Sequence, residues 1–287
     1  MCDSCGCGST EIVIKKVDSP EENPHHDHHN PHDHDHSNQN HHNHNHHHHD
    51  HHHDHSHVHA HPHAHAHQPV TTINVETDIL QQNNLLAARN RGYFDAKNIL
   101  TINLVSSPGS GKTTLLEQTL DDLKNQVSIM VIEGDQQTAQ DGRRIAQKGI
   151  PVVQINTGKG CHLDSEMVYK AVKKLQPEDH SLLFIENVGN LVCPALFDLG
   201  EQARVVIVSV TEGADKPLKY PDMFLSSQLC IINKIDLLPY VPFELEEFKQ
   251  NAIKVNHHLK FVELSAWKNT GMEHWYDWLS QQLQAKN

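Results

Sequence analysis

No apolar run in this chain approaches the roughly 18 consecutive residues that a membrane span requires, and aromatic residues make up only 5% of it. The first residues lack the apolar core of a secretory signal, so a cytoplasmic location is expected. Basic residues are also short: 23 Lys and Arg stand against 36 Asp and Glu, a formal charge of −13. Phosphate backbones are bound by basic surfaces, which argues against nucleic acid as a partner. The barest stretch runs from His25 to His67. It has no Lys, Arg, Leu, Ile or aromatic residue, yet it holds 24 of the 29 histidines. Such a segment cannot bury enough apolar surface to offset the entropy of ordering it, so residues 18–70 are expected to form a disordered linker. Residues 71–287 carry ordinary hydrophobic runs and suit one globular domain.

Cysteine is scarce beyond the first residues. The chain has six, and in a reducing compartment they serve more readily as ligands or core residues than as disulfides. Cys2, Cys5 and Cys7 cluster, Cys161 and Cys193 fall in predicted loops, and Cys230 reads as a buried strand residue.

Past the linker, periodicity predicts a helix near Thr77–Arg91 with Ile79, Leu80, Leu85 and Leu86 on its apolar side. Short apolar runs follow at Ile99–Val105, Val127–Ile132, Val152–Ile155, Leu182–Ile185, Val205–Val210, Leu229–Ile232 and Phe261–Leu264. Helix-like stretches separate most of them: Thr113–Leu123, Arg143–Gln147, Ser165–Leu175, Leu245–Asn256 and Met272–Leu283. Glu11–Val17 is a further short strand candidate. Strands alternating with helices predict an α/β fold, a mainly parallel sheet covered by helices on both faces. Ligands of such folds bind at the carboxyl ends of the strands.

The motifs fall at those ends. Ser106-Ser107-Pro108-Gly109-Ser110-Gly111-Lys112-Thr113 follows the first strand of the alternating series and opens a helix, the setting of a phosphate-binding P-loop. Gly109, Ser110 and Gly111 would wrap phosphate with backbone N–H groups, and Lys112 would reach the β- and γ-phosphates. Thr113 would bind magnesium, and Thr114 continues the motif into the helix. Ser106 stands where the pattern usually has Gly. Asn233-Lys234-Ile235-Asp236 resembles the guanine-specificity motif of G domains. Asp236 can accept from N1 and the exocyclic amine of guanine, a pair that adenine lacks, and Lys234 can lie along the ring. Ser265-Ala266, after the next strand, would offer a backbone N–H to guanine O6. Glu186-Asn187-Val188-Gly189 resembles the Asp-x-x-Gly switch with Glu in the first place. Glu186 would hold magnesium through water and Gly189 would meet the γ-phosphate. Asp135 or Asp141 would complete the magnesium shell, and sequence does not rank them. No Gln or Arg stands out for activating water, so unaided hydrolysis of GTP to GDP is expected to be slow.

Three metal sites are candidates. Cys2-x-x-Cys5-x-Cys7 offers soft thiolates that select nickel, zinc or copper. The histidine tract is a dense field of imidazoles able to hold several ions loosely. It is irregular, unlike the pure run of an expression tag. Cys161-His162 with Cys193 supplies three ligands, which leaves a tetrahedral shell incomplete and suits transfer or sharing between subunits. About 50 flexible residues span roughly 40 Å on average, so the linker would not keep the tip from the G domain.

Together, the Cys-x-x-Cys-x-Cys tip, the histidine tract, Ser-Pro-Gly-Ser-Gly-Lys-Thr, Asn-Thr-Gly-Lys-Gly-Cys-His and Glu-Asn-Val-Gly-Asn-Leu-Val-Cys-Pro resemble the HypB family. These are the nickel-incorporation GTPases of nickel–iron hydrogenase maturation. The resemblance implies a homodimer of the SIMIBI class of P-loop proteins using GTP, Mg²⁺, Ni²⁺ and Zn²⁺. It implies a HypA-like zinc-containing metallochaperone and a hydrogenase large-subunit precursor as partners. By position, it makes Cys2, Cys5 and Cys7 a tight nickel site and Cys161, His162 and Cys193 a nickel/zinc site near the dimer interface. The related urease-maturation GTPase is the nearest rival. A nickel-storage protein with a vestigial G domain is the rival of another class, opposed by intact Lys112, Thr113 and Asp236.

Overall fold

The computed structural model describes residues 12–17, 72–136 and 140–286. The Cys2, Cys5 and Cys7 tip and the histidine tract lie outside the described residues. Eight strands form one sheet in the order β1-β4-β3-β5-β2-β6-β7-β8. They are β1 (Val13–Val17), β2 (Leu100–Ser106), β3 (Ile129–Asp135), β4 (Val152–Asn156), β5 (Leu182–Glu186), β6 (Ala203–Ser209), β7 (Leu229–Asn233) and β8 (Lys260–Glu263). All neighbours run parallel except β1, which pairs antiparallel with β4. The helices are α1 (Thr72–Ala96), α2 (Lys112–Leu123), α3 (Gln140–Ala146), α4 (Ser165–Leu175), α5 (Cys193–Leu196), α6 (Lys216–Lys219), α7 (Pro221–Leu225), α8 (Leu245–Val255) and α9 (Met272–Lys286). No helix among the described residues is long and apolar enough to cross a membrane.

The mainly parallel α/β fold is as expected, and the physical reason is burial of both strand faces. On β5, Leu182 and Phe184 face one apolar cluster with Ile102, Leu104 and Trp275, while Leu183 and Ile185 face another with Phe94 and Val168. A third cluster joins Val206, Val208 and Ile232 to Phe224 and Phe248. From β2 the chain moves to β3 on one side of the sheet, and from the adjacent β6 it moves to β7 on the other, so strand order reverses between the carboxyl ends of β2 and β6.

Several local expectations are corrected. The first helix is longer than Thr77–Arg91, and its buried stripe is Asn83, Ala87, Asn90 and Phe94, with the expected Leu80 packed against the same core, while Leu85 is 75% exposed. The two asparagines are buried because they bond other segments. Asn83 Nδ2 donates to Asp198 O (2.8 Å), and Asn90 Nδ2 donates to Ser165 O and Leu199 O (2.9 and 3.1 Å). Three helices, α5 to α7, are only four or five residues long, too short for a periodicity to register. Each has proline in its first turn (Pro194, Pro217, Pro221), where the missing N–H costs nothing. Cys193 therefore begins a helix and is not in a loop.

Val13 pairs with Asn156 and Val17 with Val152, so the sequence before Val13 joins the domain directly through β1. From Cys7 to Val13 the chain can extend at most about 20 Å.

Candidate functional site

Parallel pairing brings the carboxyl ends of β2 through β8 to one edge, and all the motifs lie there. Ser106 is the last residue of β2, with its Oγ donating to Ser107 O (2.8 Å), so this position needs no glycine. Gly111 does need to be glycine: its φ is 93°, and a Cβ there would collide with the Asn233 side-chain amide. Lys112 and Thr113 open α2 and converge on Glu186 at the end of β5. Thr113 Oγ1 donates to Glu186 Oε1 at 2.6 Å, and Lys112 Nζ donates to the same oxygen at 3.1 Å. Glu186 is fully buried, and its Oε2 has no hydrogen-bond partner. A buried carboxylate oxygen without a donor is a good fit to a cation. Thr113 Oγ1 also lies 3.4 Å from Asp141 Oδ2, whereas Asp135 Oδ1 accepts from Gln136 N at 2.7 Å. Gly189 packs on the phosphate loop so closely that a Cβ would sit 3.2 Å from Pro108 Cα.

Lys112, Thr113, Asp135, Asp141 and Gly189 line a cavity of about 510 Å³ that also contains Glu133, Gln136 and Arg144, while Glu186 lies buried behind Lys112 and Thr113. Sequence reading passed over all three. Arg144 is engaged by Glu117 and by Asp141 (3.1 Å). Burial first, and the Glu186 charge second, push the Glu133 carboxyl up to about 9, against the opposing pull of Lys112. Gln154 donates to it. Lys216 was missed as well; it bonds Ser107 Oγ and Glu212, both at 2.9 Å. Being four residues long, α6 gave no pattern that could have flagged it.

A second cavity of about 620 Å³ shares Gly111, Thr114 and Lys234 with the first and contains Asp236 and Ala266. Asn233 stitches its walls together. Its Nδ2 donates to Ser110 O (2.9 Å), and its Oδ1 accepts from Lys234 N (2.8 Å) and Ala266 N (3.1 Å). Of the Ser265-Ala266 pair expected to offer a backbone N–H to guanine O6, the Ala266 N–H is donated to Asn233. Lys234 has a left-handed backbone (φ 63°) and its Nζ donates to Gly109 O at 2.6 Å. Asp236 Oδ1 is buried without a hydrogen-bond partner. Ser265 closes the following loop, with its N–H 2.9 Å from Thr270 O. Another cavity of about 630 Å³, between α1 and α4, contains none of the motif residues.

The third cluster lies at the same edge. Cys161 Sγ and Cys193 Sγ are 2.7 Å apart, and His162 Nδ1 is 3.7 Å from Cys161 Sγ. One ligand atom from each of the three falls within 4.8 Å of the others. The His162 ring stacks on Phe197 with centroids 3.9 Å apart. Burial pushes its pKa below the usual imidazole value, with Asp164 acting against it, so at neutral pH the ring is in the neutral form that binds metals. The Cys161 loop is tied to the Glu186–Asn190 segment: Asn190 Nδ2 donates to Cys161 O and Leu163 N donates to Asn187 Oδ1, both at 3.3 Å. Exposed Val192 and Leu196 flank Cys193. Cys230 is a core residue, its thiol pushed up by burial.

A family profile described as "CobW/HypB/UreG, nucleotide-binding domain" matches residues 100–263. The hydrogenase maturation factor HypB of Escherichia coli (strain K12) is 54% identical over 210 residues, covering 73% of this chain and 72% of that protein. Its counterpart in Rhizobium leguminosarum bv. viciae is 57% identical over 207 residues, covering 72% and 69%. Among solved structures, HypB from Archaeoglobus fulgidus superposes with a TM-score of 0.66 at 41% identity, covering 71% of this chain and 99% of that one. HypB from Helicobacter pylori in complex with nickel gives 0.66 at 36%, covering 71% and 96%.

Proposed function

The chain belongs to the HypB family of hydrogenase maturation factors, and on that premise we propose that it is a GTP-hydrolysing nickel metallochaperone. It would store nickel and insert it into a hydrogenase large-subunit precursor. The observation that carries the reading is the continuity between the two chemistries. Glu186, set against Lys112 and Thr113, and Cys193, set against Cys161, stand on one short segment. The nickel in the Helicobacter pylori relative supports nickel as the cargo.

In this reading Gly109, Ser110, Gly111 and Lys112 hold the phosphates, and Lys234, Asp236, Ser265 and Ala266 surround the base, with Asn233 binding the loops together. Thr113, Glu186 and one further carboxylate hold magnesium, which supplies charge neutralisation at the phosphates when bound. Asp141, in contact with Thr113, is the better candidate than Asp135. Cys161, His162 and Cys193 carry nickel or zinc. Exposed Val192 and Leu196 beside an incomplete ligand set favour a second copy of the chain completing the site. The working division is a thiol tip within 1–17, a storage linker at 18–70 and a GTPase domain at 71–287 whose sheet β1 (Val13–Val17) extends. A HypA-like metallochaperone as partner and a cytoplasmic location belong to the same proposal.

Guanine choice tests the nucleotide half. In Asp236→Asn the amide can donate to the 2-oxo group of xanthine, so GTP binding should weaken and xanthosine triphosphate should be admitted. The energy at stake is that of a charged hydrogen bond, about 1.5–3 kcal/mol. Competition between the two nucleotides measures it. A variant that keeps the wild-type preference for GTP contradicts the base-site assignment.

The storage half rests on the tract. Replacing the 24 histidines between His25 and His67 by serine should cut bound nickel several-fold and leave GTP hydrolysis and domain unfolding nearly unchanged. Nickel held by the intact tract should fall as pH drops below about 6.5, because a protonated imidazole cannot ligate. Equal nickel stoichiometry with and without the histidines, by equilibrium dialysis at pH 7.5, removes storage from the account.

A further inference from the structure

The base cavity has two wall residues that the guanine motif does not require. Tyr240 and Trp267 are 82% and 79% exposed, and both line the cavity that contains Lys234 and Asp236. The other two tryptophans, Trp275 and Trp278, are buried and stacked on each other with centroids 5.5 Å apart. A whole indole left in water is unfavourable, and at the rim of a cavity it is a surface available for contact.

Trp267 is also held in place. Its loop is closed by reciprocal backbone bonds between Ser265 and Thr270 (2.9 and 3.1 Å), and Lys268 N donates to Ser265 Oγ (3.2 Å). The bond from Ala266 N to Asn233 Oδ1 fixes the root of the loop to the strand end that precedes Asp236. The indole is therefore presented on a braced loop beside a carboxylate whose buried Oδ1 has no partner.

We propose that Trp267 stacks on the face of the guanine base whose edge Asp236 holds, and so sets the affinity for nucleotide. The inference rests on the guanine-site reading above and adds a residue to it. The division of labour follows from chemistry. Every purine presents the same kind of π-face, so stacking strengthens binding with little regard to exocyclic groups. The Asp236 carboxylate reads the edge and supplies the choice between bases.

The test measures GDP, inosine diphosphate and pyrophosphate binding to the full chain by calorimetry, in wild type, Trp267→Ala and Trp267→Phe. Trp267→Ala should weaken GDP and inosine diphosphate by the same factor, roughly 5- to 150-fold, the range seen when an aromatic stacked on a base is truncated. Pyrophosphate, which has no base, should bind unchanged, and Trp267→Phe should recover most of the loss. GDP should alter tryptophan fluorescence in wild type and not in Trp267→Phe, since the remaining indoles are buried. Wild-type GDP affinity in Trp267→Ala overturns the stacking and leaves the guanine site standing. An equal loss of GDP and pyrophosphate also overturns it, by placing the damage in the phosphate loop. A wild-type chain that binds pyrophosphate but not GDP overturns the guanine reading and this inference together.

Discussion

Lys112→Ala is expected to lower GTP hydrolysis by about 10²–10³-fold, the usual consequence of removing one preorganised donor from developing charge. The lysine sits at the start of α2 with its side chain 12% exposed, and its Nζ is 3.1 Å from Glu186 Oε1. The lysine is the cationic partner of a carboxylate that is completely buried. Lys112 also lines the phosphate-loop cavity, where its ammonium would meet phosphate, and Glu186 with Thr113 would hold magnesium. One residue thus serves both the fold and the phosphates, and its loss should be felt in both. Breaking a buried ion pair from one side costs about 3–5 kcal/mol, because the remaining charge is left without its partner. The variant should therefore also unfold at a lower temperature without nucleotide, and magnesium with GDP should recover part of the difference. Single-turnover hydrolysis at saturating GTP, with thermal unfolding on the same samples, checks both. Hydrolysis within about tenfold of wild type would mean that Lys112 is not at the phosphates.

The nucleotide motifs were legible because each is a short run of contiguous residues at the end of an apolar strand. Parallel pairing then places such ends together without further information. Ser106 looked like a defect in the motif only until its place inside β2 was known. What the sequence could not convey depends on distance between segments. Cys161 and Cys193 are 32 positions apart, and they meet because β4 and β5 both flank β3. The preference for Asp141 over Asp135 arises from its approach to Thr113, which local pattern does not encode. Glu133 follows an apolar strand as many carboxylates do, and only the burial shared with Glu186 sets it apart. Trp267 sat next to a recognised Ser-Ala pair, but its exposure is a property of the folded loop. The misread face of α1 has a related cause: asparagines occupy its buried stripe because backbone groups of Asp198, Ser165 and Leu199 need partners there.

Nucleotide control of the metal site should be the largest effect on nickel. Gly189 lies against Pro108 of the phosphate loop, and Cys193 follows on the same segment. Drawing Gly189 toward a γ-phosphate must move Cys193. The Cys161 loop is not independent of that motion, since Asn187 and Asn190 bond to it. On this proposal both sides of the cluster would answer to the switch, and a thiolate site tolerates shifts of only tenths of an ångström. Linkage requires that nickel change nucleotide affinity by the same factor that nucleotide changes nickel affinity. Typical couplings of 1–3 kcal/mol correspond to roughly 5- to 150-fold. Asn190→Ala, which cuts the bond to Cys161 O but spares all three ligands, should reduce the coupling more than it reduces nickel binding itself.

The direct measurement is a nickel titration with GDP and then with a non-hydrolysable GTP analogue. The competing sites should be silenced without truncation, because removing residues 1–70 would take β1 off the edge of the sheet. Serine in place of Cys2, Cys5, Cys7 and the tract histidines keeps the sheet whole. The account predicts nickel affinities that differ by roughly 5- to 150-fold between the two nucleotides, with the difference abolished in Cys193→Ala. Equal affinities in the two states would contradict it, even if both the nucleotide site and the metal site proved real.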